Sequence, residues 1–202
     1  IAVGVPEKNL GAAAEGMVNV LYGSLAGTTA LPPSPGTATN TNFHQGLDHV
    51  GDTPEASDQF GQALATGDFN GDGADDLAVG VPGDKGYAGT VHILYGVSGQ
   101  GLRGTGLMIR SSTVGLTAAA NGDFGLALGA GDLNGDGYAD LVIGAPGANQ
   151  FAGRIVVLMG SSTGLKTDAS NRYVSGAPAS ATGYYGFSLA VGDVTGDGRP
   201  DI

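Results

Sequence analysis

The sequence predicts an all-β protein assembled from a repeated four-stranded antiparallel unit, and three recurrences predict it. A nine-residue acidic loop occurs as Asp68 to Asp76, Asp132 to Asp140 and Asp193 to Asp201. An apolar segment follows it, Leu77-Ala-Val-Gly80-Val-Pro82 and Leu141-Val-Ile-Gly144-Ala-Pro146, matched at the start by Ile1-Ala-Val-Gly4-Val-Pro6. A second apolar segment ends each time on glycine: Gly16 to Gly23, Gly89 to Gly96 and Gly153 to Gly160. The spacing is 76 residues from Ile1 to Leu77, 64 to Leu141 and 61 to Ile202. Four short strands per repeat, at a period of about 60 residues, describe a propeller blade. A sandwich with coincidental turn spacing would not put matching loops at matching places.

Taken in order, each unit reads strand A, acidic loop, strand B, loop, strand C, turn, strand D, with no helix. Strand A is the stretch Phe60 to Gly67, Phe124 to Gly131 and Tyr185 to Gly192, each running straight into its loop. Strand B is the Leu77 or Leu141 segment. In strand C, Val18, Val20 and Tyr22 alternate with polar or small neighbours, which is strand period. Strand D is expected at Phe43 to Val50, Gly106 to Ser111 and Arg172 to Val174. The Pro/Thr/Ala/Gly-rich residues 24–42 resemble an insertion. The expected division is a partial first blade over 1–59, full blades over 60–123 and 124–184, and the start of a fourth over 185–202.

The acidic loop reads D-x-[N/T]-G-D-G-x-x-D. Side-chain oxygens at positions 1, 3, 5 and 9 can converge on one hard cation, with the carbonyl of position 7 as a fifth ligand. The expected ligands are Asp68, Asn70, Asp72, Ala74 and Asp76; Asp132, Asn134, Asp136, Tyr138 and Asp140; and Asp193, Thr195, Asp197, Arg199 and Asp201. At ~4 Å and an effective dielectric of about 20, each carboxylate pair would repel by about 4 kcal/mol. A divalent cation relieves that. All-oxygen donors, with neither Cys nor His at hand, point to Ca²⁺ at about three sites. An ordinary Asx/Gly turn explains one copy but not three. An EF-hand needs an acidic residue at position 12, where Val79 and Ile143 stand. Thr195 offers a neutral oxygen, which makes the third site the weakest.

Net charge is −11, and ten of the nineteen acidic residues lie within these loops. The acidity is thus a metal signal first. With eight Lys and Arg and no basic cluster, nucleic-acid binding is disfavoured. Cysteine is absent, which excludes disulfides and thiol chemistry. The longest apolar run, Ile155 to Met159, is too short to span a membrane as a helix. Weak calcium sites of the kind found in extracellular modules suit a secreted or cell-surface setting.

Phe60-Gly61, the D-x-N-G-D-G loop and Gly80-Val-Pro82, repeated as Phe124-Gly125 with Gly144-Ala-Pro146, resemble the FG-GAP repeat, in particular that of secreted bacterial proteins. That family builds the β-propeller heads of integrin α-subunits and a domain of glycosylphosphatidylinositol-specific phospholipase D. The resemblance implies an integrin α-like propeller of about seven blades, with structural calcium hairpins on one face. It places ligand contacts on the other face, here residues 7–15, 83–88 and 147–152 with 48–59, 114–123 and 175–184. Tyr185 in place of Phe, Val5 and Val81 in place of Ala, and Thr195 depart from the pattern.

Two motifs suggest enzymes. Gly160-Ser-Ser162-Thr-Gly164 fits G-x-S-x-G, but a strand rather than a helix is expected after it, and His44, His49 and His92 all lie upstream. Gly99-Gln-Gly101-Leu-Arg-Gly104 fits G-x-G-x-x-G and also leads into a strand. Both read as turns. His92 reads as a tolerant strand position, and Glu55 with Asp58 as solvated loop charge. The expected function is non-catalytic adhesion or recognition, with an extracellular protein or glycan as ligand. The alternatives are an accessory domain of a secreted hydrolase, of phospholipase or esterase type, and a structural spacer. Propellers close with roughly four to eight blades, so the expected neighbours are further blades of a longer propeller or another copy of the chain.

Overall fold

In the computed structural model, residues 1–11, 13–23, 41–47, 50–103, 106–117, 121–176 and 182–202 are described. Most of the expected insertion, residues 24–40, lies outside them, as does His49. The chain is all-β, and its strands form three antiparallel sheets. The first contains β1 (Ala2–Val5), β2 (Met17–Val20) and β3 (Thr41–Phe43), in that order. The second runs β4 (Ala63–Gly67), β5 (Asp76–Val81), β6 (Thr90–Val97). The eight-residue β6 is long enough for two partners: β7 (Gly101–Arg103) on its last residues and β8 (Met108–Arg110) on its first. The third runs β9 (Leu128–Gly131), β10 (Asp140–Ala145), β11 (Arg154–Leu158), β12 (Arg172–Ser175).

Strand D of the first sheet falls at Thr41–Phe43, earlier than expected, because Phe43 pairs with Val18 and is buried while the chain turns directly afterwards, with Leu47 N–H donating to the His44 carbonyl. The expectation of no helix fails locally. Ser111–Val114 is one 3₁₀ turn ending on left-handed Gly115. Asp84–Tyr87 (α1) and Ala148–Phe151 (α2) are single turns whose middle residues, Lys85-Gly86 and Asn149-Gln150, take left-handed backbone angles. Strand A of the fourth repeat forms no ladder; Gly192 makes one bridge to Asp201.

Strands β5 and β10 are buried at every residue: β5 lies between the first and third sheets, and β10 is covered by the second sheet on one face and by residues 185–202 on the other, where Gly186 faces Gly144. The period of two then assigns faces. Leu77, Val79 and Val81 point toward the first sheet and pack with Val18, Val20, Phe43 and Phe60. Ala78 points the other way, into the core that holds Leu141, Ile143, Ala145 and Phe124. The sheets therefore stack face to face as propeller blades, each strand B serving two seams.

Two glycines per repeat set the distance between blades. Gly61, Gly125 and Gly186 have φ of +91°, +90° and +87°, where a side chain is strained. Gly80, whose φ is ordinary, faces the carbonyl of Gly125 so closely that a Cβ there would lie 2.1 Å from the oxygen. The same contact recurs between Gly4 and Gly61, at 2.0 Å, and between Gly144 and Gly186, at 2.1 Å. Backbone hydrogen bonds complete each seam: Phe60 N–H donates to the Glu15 carbonyl, Asp123 N–H to Tyr87 and Tyr185 N–H to Ala152.

Candidate metal-binding loops and an acidic seam

The acidic loops join strand A to strand B: β4 to β5 in the first case and β9 to β10 in the second. All three have one backbone path. Glycines at positions 4 and 6 take positive φ, 72° and 84° at Gly71 and Gly73, 77° and 91° at Gly135 and Gly137, and 76° and 88° at Gly196 and Gly198. The turn they make aims three successive amides at the first aspartate. Asp68 accepts from Gly71, Asp72 and Gly73 N–H; Asp132 from Gly135, Asp136 and Gly137; Asp193 from Gly196, Asp197 and Gly198. Asn70 and Asn134 accept from the amides of Asp72 and Asp136, at 2.9 and 2.8 Å. Thr195 takes no corresponding bond among the described residues, which sets the third loop apart as its sequence suggests.

The ninth residue is anchored from two sides. Asp76 is fully buried and accepts from Phe69 N–H at 3.0 Å and from Gly96 N–H at 2.8 Å. Asp140 is held likewise by Leu133 and Gly160. Sequence reasoning noticed the recurring Gly96 and Gly160 without seeing this role. A Cβ on Gly96 would meet the Asp75 carbonyl at 2.3 Å, so the glycine lets strand C approach the loop. Adjacent loops also touch: the Tyr138 ring covers Gly71, the Arg199 guanidinium lies over Gly135, and Ala139 N–H donates to the Asp68 carbonyl.

Burial pushes the Asp76 carboxyl up to about 6, and the charges of Asp72 and Asp68 add to the rise. Asp140 is raised for the same reasons, burial first. Exposed Asp193 is lowered instead, chiefly by the Gly198 amide. None of the three loops brings its three carboxylates all within 4.8 Å of one another, so their mutual repulsion is milder than the closest packing would give. The donors suit a hard divalent cation. Each loop offers oxygens only, carries at least three carboxylates in nine residues, and is turned by glycines that leave its amides occupied and its remaining carboxylate lone pairs available.

Among the described residues, the one carboxylate triad within 4.8 Å lies elsewhere: Glu55, Asp58 and Asp84. This corrects the reading of Asp58 as solvated charge, while Glu55 is exposed as expected. Asp58 is 1% exposed, because it lies under the α1 turn, and burial raises its carboxyl to about 6, with Asp84 and Glu55 contributing. Asp84 is fully buried, and the Lys85 ammonium lies 3.0 Å from it and 3.2 Å from Glu55. His92, expected at a tolerant strand position, is buried against Phe60, with ring centroids 5.7 Å apart. The two tempting motifs form turns where they are described. Gly164 N–H donates to the Ser161 carbonyl at 2.7 Å, and Gln100 N–H to Val97 at 2.9 Å.

Blades that stack on paired glycines, with acidic loops joining strands A and B, define a β-propeller repeat protein. The FG-GAP repeat family matches residues 60–94 and 124–158. The chain is thus built of FG-GAP repeats of the integrin α-like family. It is 36% identical to integrin alpha-PS2 of Drosophila melanogaster over 165 residues, 73% of this chain and 11% of the relative. It is 31% identical to phosphatidylinositol-glycan-specific phospholipase D of Bos taurus, over 71% of this chain and 18% of the relative. Integrin alpha-6 of Gallus gallus is 29% identical over 77% of this chain and 14% of its own length. The chain thus spans less than a fifth of each of these relatives. Among the described residues no helix is long and apolar enough to cross a membrane.

Proposed function

We propose that this chain is a calcium-stabilised segment of an extracellular β-propeller that serves non-catalytic adhesion or recognition. The observation that carries the reading is the threefold repetition of one loop: matching glycine conformations, the same three amides on the first aspartate, and a ninth aspartate that accepts from the amide of the loop's second residue. In it, Asp68, Asn70, Asp72, Asp76 and the Ala74 carbonyl hold the first ion, with the equivalent residues of the other loops holding theirs. Calcium there offsets two of the loop's negative charges and locks strand A to strand B. The ligand, an extracellular protein or glycan, meets the opposite ends of the blades.

Calorimetric titration tests the metal half. About three calcium ions per chain are expected, with dissociation constants near or above ~10⁻⁴ M. Asp72→Ala and Asp136→Ala should each remove one. A calcium-free protein by elemental analysis after equilibration in calcium would end the reading. Probing glycan and matrix-protein arrays with and without calcium tests the recognition half.

Similarity to the phosphatidylinositol-glycan-specific phospholipase D favours a second reading, in which the blades are an accessory domain of a larger secreted hydrolase. A catalytic domain in the same gene product would decide for it. In either case the outer seams need cover: Ile1, Val3 and Val5 on one side, and Phe187 and Val194 on the other, are exposed. Further blades, or a second copy, supply it.

A further inference from the structure

The loops after strands B and D of successive repeats meet in the same way at the first seam and at the second. A Cβ on Gly83 would lie 1.7 Å from the Ser57 carbonyl, and one on Gly147 would lie 1.6 Å from that of Asn121. Ser57 and Asn121 share positive φ, 69° and 63°, and α1 and α2 share their left-handed turn. The side chains differ completely. The first seam carries Asp52, Asp58, Asp84 and His92 where the second, 64 residues on, carries Leu116, Gly122, Ala148 and Val156. Leu116, Ala148 and Val156 pack into the hydrophobic core. The backbone therefore does not need charge here, and an apolar filling serves the fold.

The charges are also badly matched. Asp52, Glu55, Asp58 and Asp84 surround a single ammonium, that of Lys85, which lies 3.6, 3.2 and 3.0 Å from Asp52, Glu55 and Asp84. One Asp58 oxygen accepts from Glu55 N–H at 2.6 Å. The Asp84 side chain is wholly buried, and its Oδ2 has no hydrogen-bond partner. A second, separate anomaly points inward. The His92 imidazole is 3% exposed, its Nε2 has no hydrogen-bond partner, and it faces Asp52 Oδ2, equally without one, at 3.8 Å. Burial lowers the pKa of this histidine even though Asp52 and Asp84 oppose the shift, and with Nδ1–H donating to the Val50 backbone the neutral ring turns its Nε2 lone pair toward a carboxylate. Buried acceptors facing one another are unfavourable unless positive charge lies between them.

We propose that the seam between the first and second blades is a second, chemically distinct cation site, in which Glu55, Asp58 and Asp84 bind a small divalent ion of the magnesium or manganese type and Lys85 is the displaceable occupant. Around an octahedral ion with bonds of about 2.1 Å, neighbouring oxygens lie roughly 3.0 Å apart and opposite ones roughly 4.2 Å, both inside the 4.8 Å that bounds the triad. Lys85 and Glu55 are 39% and 50% exposed, so the ammonium can swing into solvent along the path by which the ion enters. With the ion bound, Asp52 and His92 line its inner side. The site lies among loops that join strand B to strand C and strand D to the next strand A, whereas the acidic hairpins join strand A to strand B. It does not depend on the calcium reading.

The test uses the full chain in saturating calcium, so that the hairpins do not compete, with Mn²⁺ as probe and free Mn²⁺ counted by electron paramagnetic resonance during dialysis. The native chain should bind one Mn²⁺. Lys85→Met, which removes the competing ammonium at a half-exposed position, should bind it at least tenfold more tightly. Asp84→Ala with Lys85→Asn gives the second blade the residues the third carries at Ala148 and Asn149; it should fold, and bind none. No Mn²⁺ on either the native chain or Lys85→Met overturns the proposal, as does undiminished binding by the double variant. Should the double variant not fold, the tenfold gain of Lys85→Met decides: no gain means that the cluster is only an ion-pair network.

Discussion

Chelating calcium is expected to lower the melting temperature by on the order of 20 °C. An ion that binds only the folded state at about a hundred times its dissociation constant adds roughly 2.7 kcal/mol per site, so three sites add about 8 kcal/mol. At about 2–4 °C per kcal/mol for a chain of this size, the shift is large. Scanning calorimetry in about 10 mM calcium against excess chelator measures it. Asp72→Ala and Asp136→Ala should each remove about a third of the calcium increment and leave the chelated melting point little changed. The third loop should contribute least, since Thr195 makes none of the bonds that Asn70 and Asn134 make. Identical melting curves with and without chelator would refute the calcium assignment.

The same experiment has a pH signature. Asp76 is raised to about 6 in the folded chain, against about 4 when unfolded. Between those values the folded state binds more protons than the unfolded state, so stability falls as pH rises through the window and returns as pH is lowered. Asp58, raised to about 6, and Asp140, also raised, act in the same direction. The chelated protein should therefore melt higher at pH 5 than at pH 7. Calcium favours the ionised carboxylates, so in its presence the Asp76 and Asp140 part of this dependence should disappear. His92, lowered by burial, acts in the opposite direction, so the comparison is made on a His92→Val background, where a chelated protein that loses stability on acidification would contradict the burial of these carboxyls.

The repeating parts of this molecule were legible in its sequence because repetition multiplies weak signals. One D-x-N-G-D-G is a turn; three at matched offsets are an architecture, and strands B and C, with strand A of two repeats, fell where the offsets put them, whereas the strand A expected at Tyr185 to Gly192 forms no ladder. Strand D was harder to place, since Thr41–Phe43 and Met108–Arg110 each pair with only three residues of strand C. The acidic seam was not legible, for the same reason inverted: it occurs once. Asp84 and Lys85 have Ala148 and Asn149 as counterparts, and His92 has Val156, so alignment of the repeats makes them look like tolerated variation. Only the stacking of two blades brings Asp58, from the loop before strand A, under Asp84, from the loop after strand B. The roles of Gly96 and Gly160 were hidden likewise, because a glycine ending a strand reads as a turn until the buried aspartate it reaches is seen.

Replacing Gly80 with alanine is expected to cost about 3 kcal/mol or more, a loss out of proportion to one methyl group. The backbone at Gly80 is ordinary strand, so alanine carries no conformational penalty of its own there. Its Cβ, however, would lie 2.1 Å from the carbonyl oxygen of Gly125 in the next blade. Neither group can rotate aside, because both are main chain: the Gly80 carbonyl accepts from Gly61 N–H and Gly125 N–H donates to the Gly144 carbonyl. Relief has to come from moving one blade against another, which opens the core of Phe124, Leu141 and Ile143. Overpacking of a close-packed interior costs about 1–3 kcal/mol when side chains can adjust, so a main-chain collision belongs at or above that range. Gly99→Ala is the control. Its φ is +72° with nothing within 4 Å of the added carbon, so it reports strain without collision and should cost about 1 kcal/mol. Gly144→Ala, facing Gly186 at 2.1 Å, should behave like Gly80→Ala but more mildly, since Tyr185 and Phe187 beside Gly186 are exposed and free to shift. Denaturant melts of the three variants in calcium give the order. If Gly80→Ala costs no more than Gly99→Ala, the paired glycines do not set the spacing of the blades, and the recurrence of both in every repeat requires another cause.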